Sequence, residues 1–101
     1  MSSPSPLSAA ALVAEREPSH HTVCYTVQAL ADPGIMPRVI ELFAKRGLVP
    51  HKWHSTAYGT ALTMDLQIGG LGHDLADYIA RCLRQITGVE TVLTVETQPP
   101  G

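Results

Sequence analysis

The chain has 101 residues, of which 45% are hydrophobic and 16% charged, so one domain with a packed core is expected and global disorder is excluded. The net charge of −2 gives no electrostatic reason to expect a nucleic-acid partner. No run approaches the roughly 18 apolar residues that span a bilayer, and two cysteines do not make a disulfide scaffold, so we expect a cytoplasmic protein without membrane contact.

The two ends of the chain are predicted to be tails, at residues 1–20 and 98–101, around one domain at 21–97. The apolar segment at 7–14 has the length of a signal-peptide core, but no basic side chain precedes it and Glu15 follows it. We therefore interpret it as part of a flexible N-terminal tail.

The first strand and the first helix are predicted from two different periodicities. Apolar and polar residues alternate over residues 21–29, which is typical of a strand with one buried side. The helix is expected to begin after Gly34, with Pro37 in the first turn where no intrahelical donor is lost, and to end at Gly47. Its predicted apolar face comprises Met36, Val39, Ile40 and Phe43, widened by Ile35 and Leu42.

A hairpin is predicted to follow this helix. Strand two is expected over residues 48–58 at an edge of the sheet, because Pro50 would remove a hydrogen bond from a central strand. The pattern of this strand is less regular, and a bulge is predicted at residues 51–53. A turn at 58–60 leads into strand three. The predicted buried side of strand three is Leu62, Met64, Leu66 and Ile68.

The second helix is predicted between a glycine-rich break at 69–72 and Gly88, with strand four at 89–96. This element order predicts an α+β fold, a ferredoxin-like βαββαβ sandwich in which a four-stranded antiparallel sheet has both helices on one face. The predicted buried stripe of the helix is Leu75, Ile79, Cys82, Leu83 and Ile86. The other sheet face, either solvated or packed on a partner, would present Thr22, Cys24, Thr26, Gln28, Thr63, Asp65 and Gln67.

The turn before the first helix is the main candidate site. Free backbone N–H groups at a helix start can hold a small anion, so we expect the N–H groups of Ile35 and Met36 to bind a carboxylate. The competing interpretation is an ordinary turn at residues 32–34 with a helix behind it.

The element order, the turn at residues 32–36 and the helix pattern at 38–47 together resemble the ACT domain family of regulatory modules. Within that family the chain is most similar to the short small subunits of acetolactate synthase. The resemblance implies no catalytic residues, no cofactor, pairing of two copies through their sheet edges, and an amino acid effector bound at the first turn. By position, the ligand-binding residues would be Ala31, Asp32, Gly34, Ile35 and Met36.

The resemblance also implies a function in branched-chain amino acid biosynthesis. Such small subunits bind and activate a large thiamine-diphosphate-dependent subunit. The alternative is a free-standing ACT-like module that regulates another enzyme. The chain departs from the family pattern at Ala31, where many amino-acid-binding members have Asp or Asn, so Asp32 would have to supply the carboxylate.

Three other functions are less well supported by the residues. Acylphosphatases share the element order but use an arginine in the first turn, whereas Arg38 lies further along the helix here, and Cys24 has no evident base beside it. The predicted open face of strands one and three lacks the aromatic residues of an RNA-binding sheet, since Tyr25 is assigned to the core. A metal site is not expected, because His51 and His54 would lie on opposite faces of a regular strand.

The single tryptophan is the remaining candidate. Trp53 lies on the predicted edge strand, where it either covers the core or anchors a contact between two copies of the chain.

Overall fold

The computed structural model describes residues 22–97, so both predicted tails lie outside the described residues. The elements are β1 (Thr22–Leu30), α1 (Ile35–Ala44), β2 (Lys52–Tyr58), β3 (Ala61–Gly69), α2 (His73–Arg84) and β4 (Val89–Thr97). The strands form an antiparallel sheet in the order β2-β3-β1-β4. The predicted ferredoxin-like sandwich is therefore confirmed, with β2 at an edge. Within residues 22–97, no helix is long and apolar enough to cross a membrane.

The core lies between one face of the sheet and the two helices. The predicted inner faces of β1 and β3 are confirmed, since alternate residues of each strand are buried. The ring of Tyr25 packs 6.2 Å from that of Phe43, and the Tyr25 hydroxyl donates to the Ala76 carbonyl at 2.7 Å. Burial raises the pKa of Tyr25 far above its ordinary value, so the hydroxyl stays protonated and ties β1 to α2.

The helix faces differ from the predicted ones at their margins. On α1, Ile35, Val39 and Phe43 are buried, but Ile40 is 53% exposed. At about 100° per residue, Ile40 lies about 100° from the centre of the buried stripe, so it points away from the sheet.

The buried stripe predicted for α2 was also partly wrong. Leu75 was expected to be buried but is 38% exposed, whereas the small residues Ala76 and Ala80 are buried. The alanines allow α2 to approach the sheet closely, which the Tyr25–Ala76 hydrogen bond requires. Two members of the predicted stripe, Cys82 and Ile86, are only half-buried.

The second strand is shorter than predicted, since it begins at Lys52 rather than at residue 48. From Lys52 to Tyr58, β2 and β3 pair without a register shift. Just before β2, the His51 N–H donates at 2.9 Å to the carbonyl of Gln67, the residue that Lys52 faces, so residues 51 and 52 share one partner, as the predicted bulge requires. A second irregularity lies between β1 and β4, at Gln28 and Ala29. The predicted hairpin turn is confirmed: Gly59 takes a positive φ of 61°, where a side chain would be strained.

Candidate functional site

The turn between β1 and α1 lies where three connections meet at one end of the sheet. The Ala31 N–H donates to the Thr60 carbonyl of the β2–β3 hairpin at 2.9 Å. The Leu30 N–H donates to the Gly88 carbonyl, between α2 and β4, also at 2.9 Å. The fold therefore fixes the backbone of this turn from both sides.

The turn also uses several of its own polar groups. The Asp32 carboxylate accepts from the Gly34 N–H at 2.9 Å, and the Asp32 carbonyl accepts from the Ile35 N–H at 3.1 Å. The Ile35 donor, which the sequence predicts to be free for an anion, is therefore engaged in the turn. A ligand carboxylate would have to share it with the Asp32 carbonyl, in a place where the Asp32 side chain already puts a negative charge.

The five predicted ligand-binding residues have different exposures. Ala31 and Asp32 are exposed, whereas Gly34 and Met36 are half-buried. The Ile35 side chain is fully buried in the core, so it can contribute to a site only through its backbone and by positioning α1. The structure thus brings these residues together, with only some of their side chains open to a ligand. Their role in binding remains a prediction.

A functional candidate that sequence reasoning missed is the guanidinium of Arg38. A Cβ built on Gly34 would lie 3.6 Å from Arg38 Nη1 and 3.5 Å from Asp32 Oδ1. A positive and a negative group therefore flank the bare backbone of Gly34. Among residues 22–97, neither group has an ion-pair partner within 4.0 Å. The signal in the sequence was the spacing of four residues between Gly34 and Arg38, which places them on one side of the helix.

This arrangement is suited to a small zwitterion. A carboxylate prefers the planar guanidinium, and an ammonium prefers the Asp32 carboxylate. Gly34 has a φ of −78°, which any residue can adopt, and its missing side chain leaves a space of about one methyl group between the two charges. The absence of a side chain there opens space rather than relieving strain.

The described residues hold little that supports the competing functions. Within residues 22–97, no group of three metal-ligating side chains is found. The His54 ring lies on the open face of the sheet, 3.3 Å from the Thr56 hydroxyl. On that face, Thr26 donates to Asp65 at 2.9 Å, in central strands that present no aromatic side chain outward. Cys24 and Cys82 are both free thiols.

The sequence matches a family model described as an ACT-like domain over residues 16–100. The chain belongs to the ACT-like domain family. The resemblance inferred from the turn and the element order is thereby confirmed at the level of the family, and family membership favours a regulatory role rather than catalysis. Among curated proteins, none matches the sequence significantly.

Several solved structures share the fold at low sequence identity. The ACT domain of a GTP pyrophosphokinase from Chlorobium tepidum is 18% identical with a TM-score of 0.66, and the match covers 73% of this chain and 96% of that one. The C-terminal domain of the MgtC protein from Mycobacterium tuberculosis is 13% identical with a TM-score of 0.62, covering 79% and 90%. The ligand-free regulatory subunit of aspartate kinase from Thermus thermophilus is 16% identical with a TM-score of 0.56, covering 74% and 50%.

Proposed function

We propose that this ACT-like chain is a non-catalytic regulatory subunit that binds an amino acid effector at the β1–α1 turn. The observation that supports this most is the pair of opposite charges, Asp32 and Arg38, on either side of Gly34. An amino acid presents a matching pair of charges on one carbon atom. Each charge-assisted hydrogen bond contributes about 1.5–3 kcal/mol, which suffices for effector binding when two or three form together.

We propose acetolactate synthase as the regulated enzyme, with a branched-chain amino acid as the effector. The support is the resemblance of the chain to the short small subunits of this enzyme, which consist of little more than one ACT module. The test is to mix the purified chain with a large synthase subunit and to measure acetolactate formation with and without valine. We expect the chain to raise the activity and valine to lower it again. Unchanged activity together with separate elution of the two proteins would contradict this assignment.

A second candidate is an ACT-like module that regulates a different enzyme. It is favoured by the range of proteins in which the fold occurs, since the similar structures come from a GTP pyrophosphokinase and from an aspartate kinase regulatory subunit. Co-purification from the native cell separates the two candidates, because only the first predicts recovery of a large synthase subunit.

Pairing of two copies through the β2 edge is part of the proposal. Trp53 is half-buried against the core on this edge strand, and its Nε1 donates to the Ser55 hydroxyl at 2.6 Å. We expect Trp53→Ala to give a folded monomer in sedimentation analysis, because an exposed indole face is a strong interface anchor. The matched control is Leu93→Ala on the opposite edge strand β4, where Leu93 is 65% exposed. A Trp53→Ala protein that still dimerises, or a Leu93→Ala protein that does not, would contradict pairing through β2.

A further inference from the structure

A groove of about 350 Å³ runs between α1 and α2 on the side of the helices that faces solvent. Its walls include Arg38, Glu41, Lys45 and Arg46, and its half-buried apolar floor includes Leu42 and Ile86. We call it the interhelical groove. The turn site described above adjoins it only at Arg38.

The interhelical groove is positively charged although the whole chain has a net charge of −2. Three cationic side chains line it against the single carboxylate of Glu41. Within the described part of the chain, Arg38, Glu41 and Lys45 make no ion pair with any residue. These charges are therefore available to a partner.

Arg46 gives the groove a fixed wall. Its guanidinium donates to the Leu42 carbonyl at 2.9 Å and to the Tyr78 hydroxyl at 3.2 Å, and it lies 5.1 Å from the centre of the Tyr78 ring. None of these contacts neutralises its charge. The guanidinium therefore contributes a positive charge whose position does not depend on a ligand.

The charges along α1 alternate in sign. Lys45 continues the helical geometry, since its φ is −62° and its N–H donates to the Glu41 carbonyl at 2.9 Å. Arg38 and Lys45 are thus two helical turns apart, about 10 Å along the axis, with Glu41 between them. A single small anion at the centre of the groove would meet the Glu41 carboxylate, whereas a longer segment can place one carboxylate at each end.

We propose that the interhelical groove binds a helix of a partner protein with acidic residues seven positions apart, a basic residue between them and a leucine facing the floor. One acidic residue would pair with Lys45 and the other with Arg38, where it would compete with the effector carboxylate for the same guanidinium. The basic residue would pair with Glu41, and the leucine would cover Leu42 and Ile86. The helix would belong to the enzyme that the chain regulates, so this inference rests on the proposed function.

The test uses the full-length ¹⁵N-labelled chain and a capped, alanine-rich 18-residue peptide. The peptide has Glu at positions i and i+7, Lys at i+3 and Leu at i+4, and a second peptide of the same composition has these residues scrambled. We expect saturable amide shifts at the interhelical groove with the first peptide only. Raising the salt concentration should weaken the binding, because exposed charge pairs are screened.

Two charge reversals provide the matched comparison. We expect Lys45→Glu to weaken binding of the first peptide about fivefold or more, and Lys52→Glu, on β2 and outside the groove, to change it less than about twofold. Equal binding of the scrambled peptide, shifts confined to the sheet face, or no shifts would overturn the proposal. Inorganic pyrophosphate that binds as tightly as the peptide, with the same shifts, would also overturn it in favour of a small-anion site.

Peptide binding and large-subunit binding together show whether the groove proposal or the proposed function fails. If the first peptide binds as described but no large synthase subunit does, the partner assignment fails and the groove stands. If Lys45→Glu binds the large subunit as well as the unmodified chain does, the groove proposal fails and the regulatory role stands.

Discussion

The missing side chain of Gly88 leaves room for Ile35 at the start of α1, and substituting Gly88 should show how strongly the two positions are coupled. Its φ is +97°, and an added Cβ would lie 2.6 Å from Ile35 Cδ1. An alanine at such a φ costs about 1–2 kcal/mol of folding free energy. Because the Ile35 side chain is fully buried, it cannot move aside freely, and overpacking adds about 1–3 kcal/mol. We expect Gly88→Ala to lower the free energy of unfolding by about 2–5 kcal/mol.

A double-mutant cycle separates the two contributions. Ile35→Val removes Cδ1, the atom in conflict, and alone costs about 1 kcal/mol. In the Ile35→Val background, Gly88→Ala should cost only the conformational part, so the double variant should be about 1–3 kcal/mol more stable than additivity predicts. Urea unfolding followed by circular dichroism measures all four proteins. Additive costs would refute the argument that Ile35 packs against Gly88 and positions the turn.

The remaining predictions concern α2. Tyr25→Phe should lower the free energy of unfolding by about 1 kcal/mol in urea titration, because the hydroxyl hydrogen bond to the Ala76 carbonyl is lost inside the core; unchanged stability would contradict its role. The His73 ring lies 2.8 Å from a Glu96 carboxylate oxygen, and this hydrogen bond and charge raise the pKa of His73 above its ordinary 6.5. The pair of protonated His73 and Glu96 therefore stabilises the folded state fully below pH 6.5, and this contribution is lost as the pH rises through the raised pKa of His73. Nuclear magnetic resonance titration should show the His73 pKa falling in Glu96→Gln, and an unchanged midpoint would contradict the pairing.

The sequence predicted the elements whose pattern is set by the backbone alone. The alternation in β1 and β3 was decisive because a strand buried on one side has a period of two, and the structure confirms Val23 and Met64 on the inner face. The edge position predicted from Pro50 is confirmed, although Pro50 itself precedes β2, which begins at Lys52.

The sequence was less informative where tertiary packing decides. Ile40 is exposed although it is as hydrophobic as its buried neighbours, because α1 buries only a narrow stripe. Ala76 and Ala80 are buried although hydrophobicity did not mark them, because their small size lets α2 approach the sheet. Neither the width of the buried stripe on α1 nor the close approach of α2 can be deduced without the sheet surface against which the helices pack.

The candidate site was only partly predictable for the same reason. Asp32 and Gly34 were expected from the turn motif, but the engagement of the Ile35 N–H depends on how the turn closes on itself. The position of the Arg38 guanidinium depends on its side-chain rotamer. The spacing of four residues from Gly34 is compatible with that rotamer but does not determine it.

The central claim is that the space beside Gly34 receives an amino acid effector. The most direct measurement is calorimetric titration of the full-length chain with valine, leucine and isoleucine, repeated with Gly34→Ala. An alanine there keeps an allowed φ and meets its neighbours at no less than 3.5 Å, so the fold should persist while the methyl group occupies the space between the charges. Gly72→Ala is the matched control, since Gly72 precedes α2 with a φ of −74° and has nothing within 4 Å of an added Cβ.

We predict saturable binding of at least one of these amino acids to the unmodified chain and to Gly72→Ala, weakened at least about tenfold in a folded Gly34→Ala protein. No heat of binding at millimolar concentration, or equal affinity in Gly34→Ala, would contradict the account.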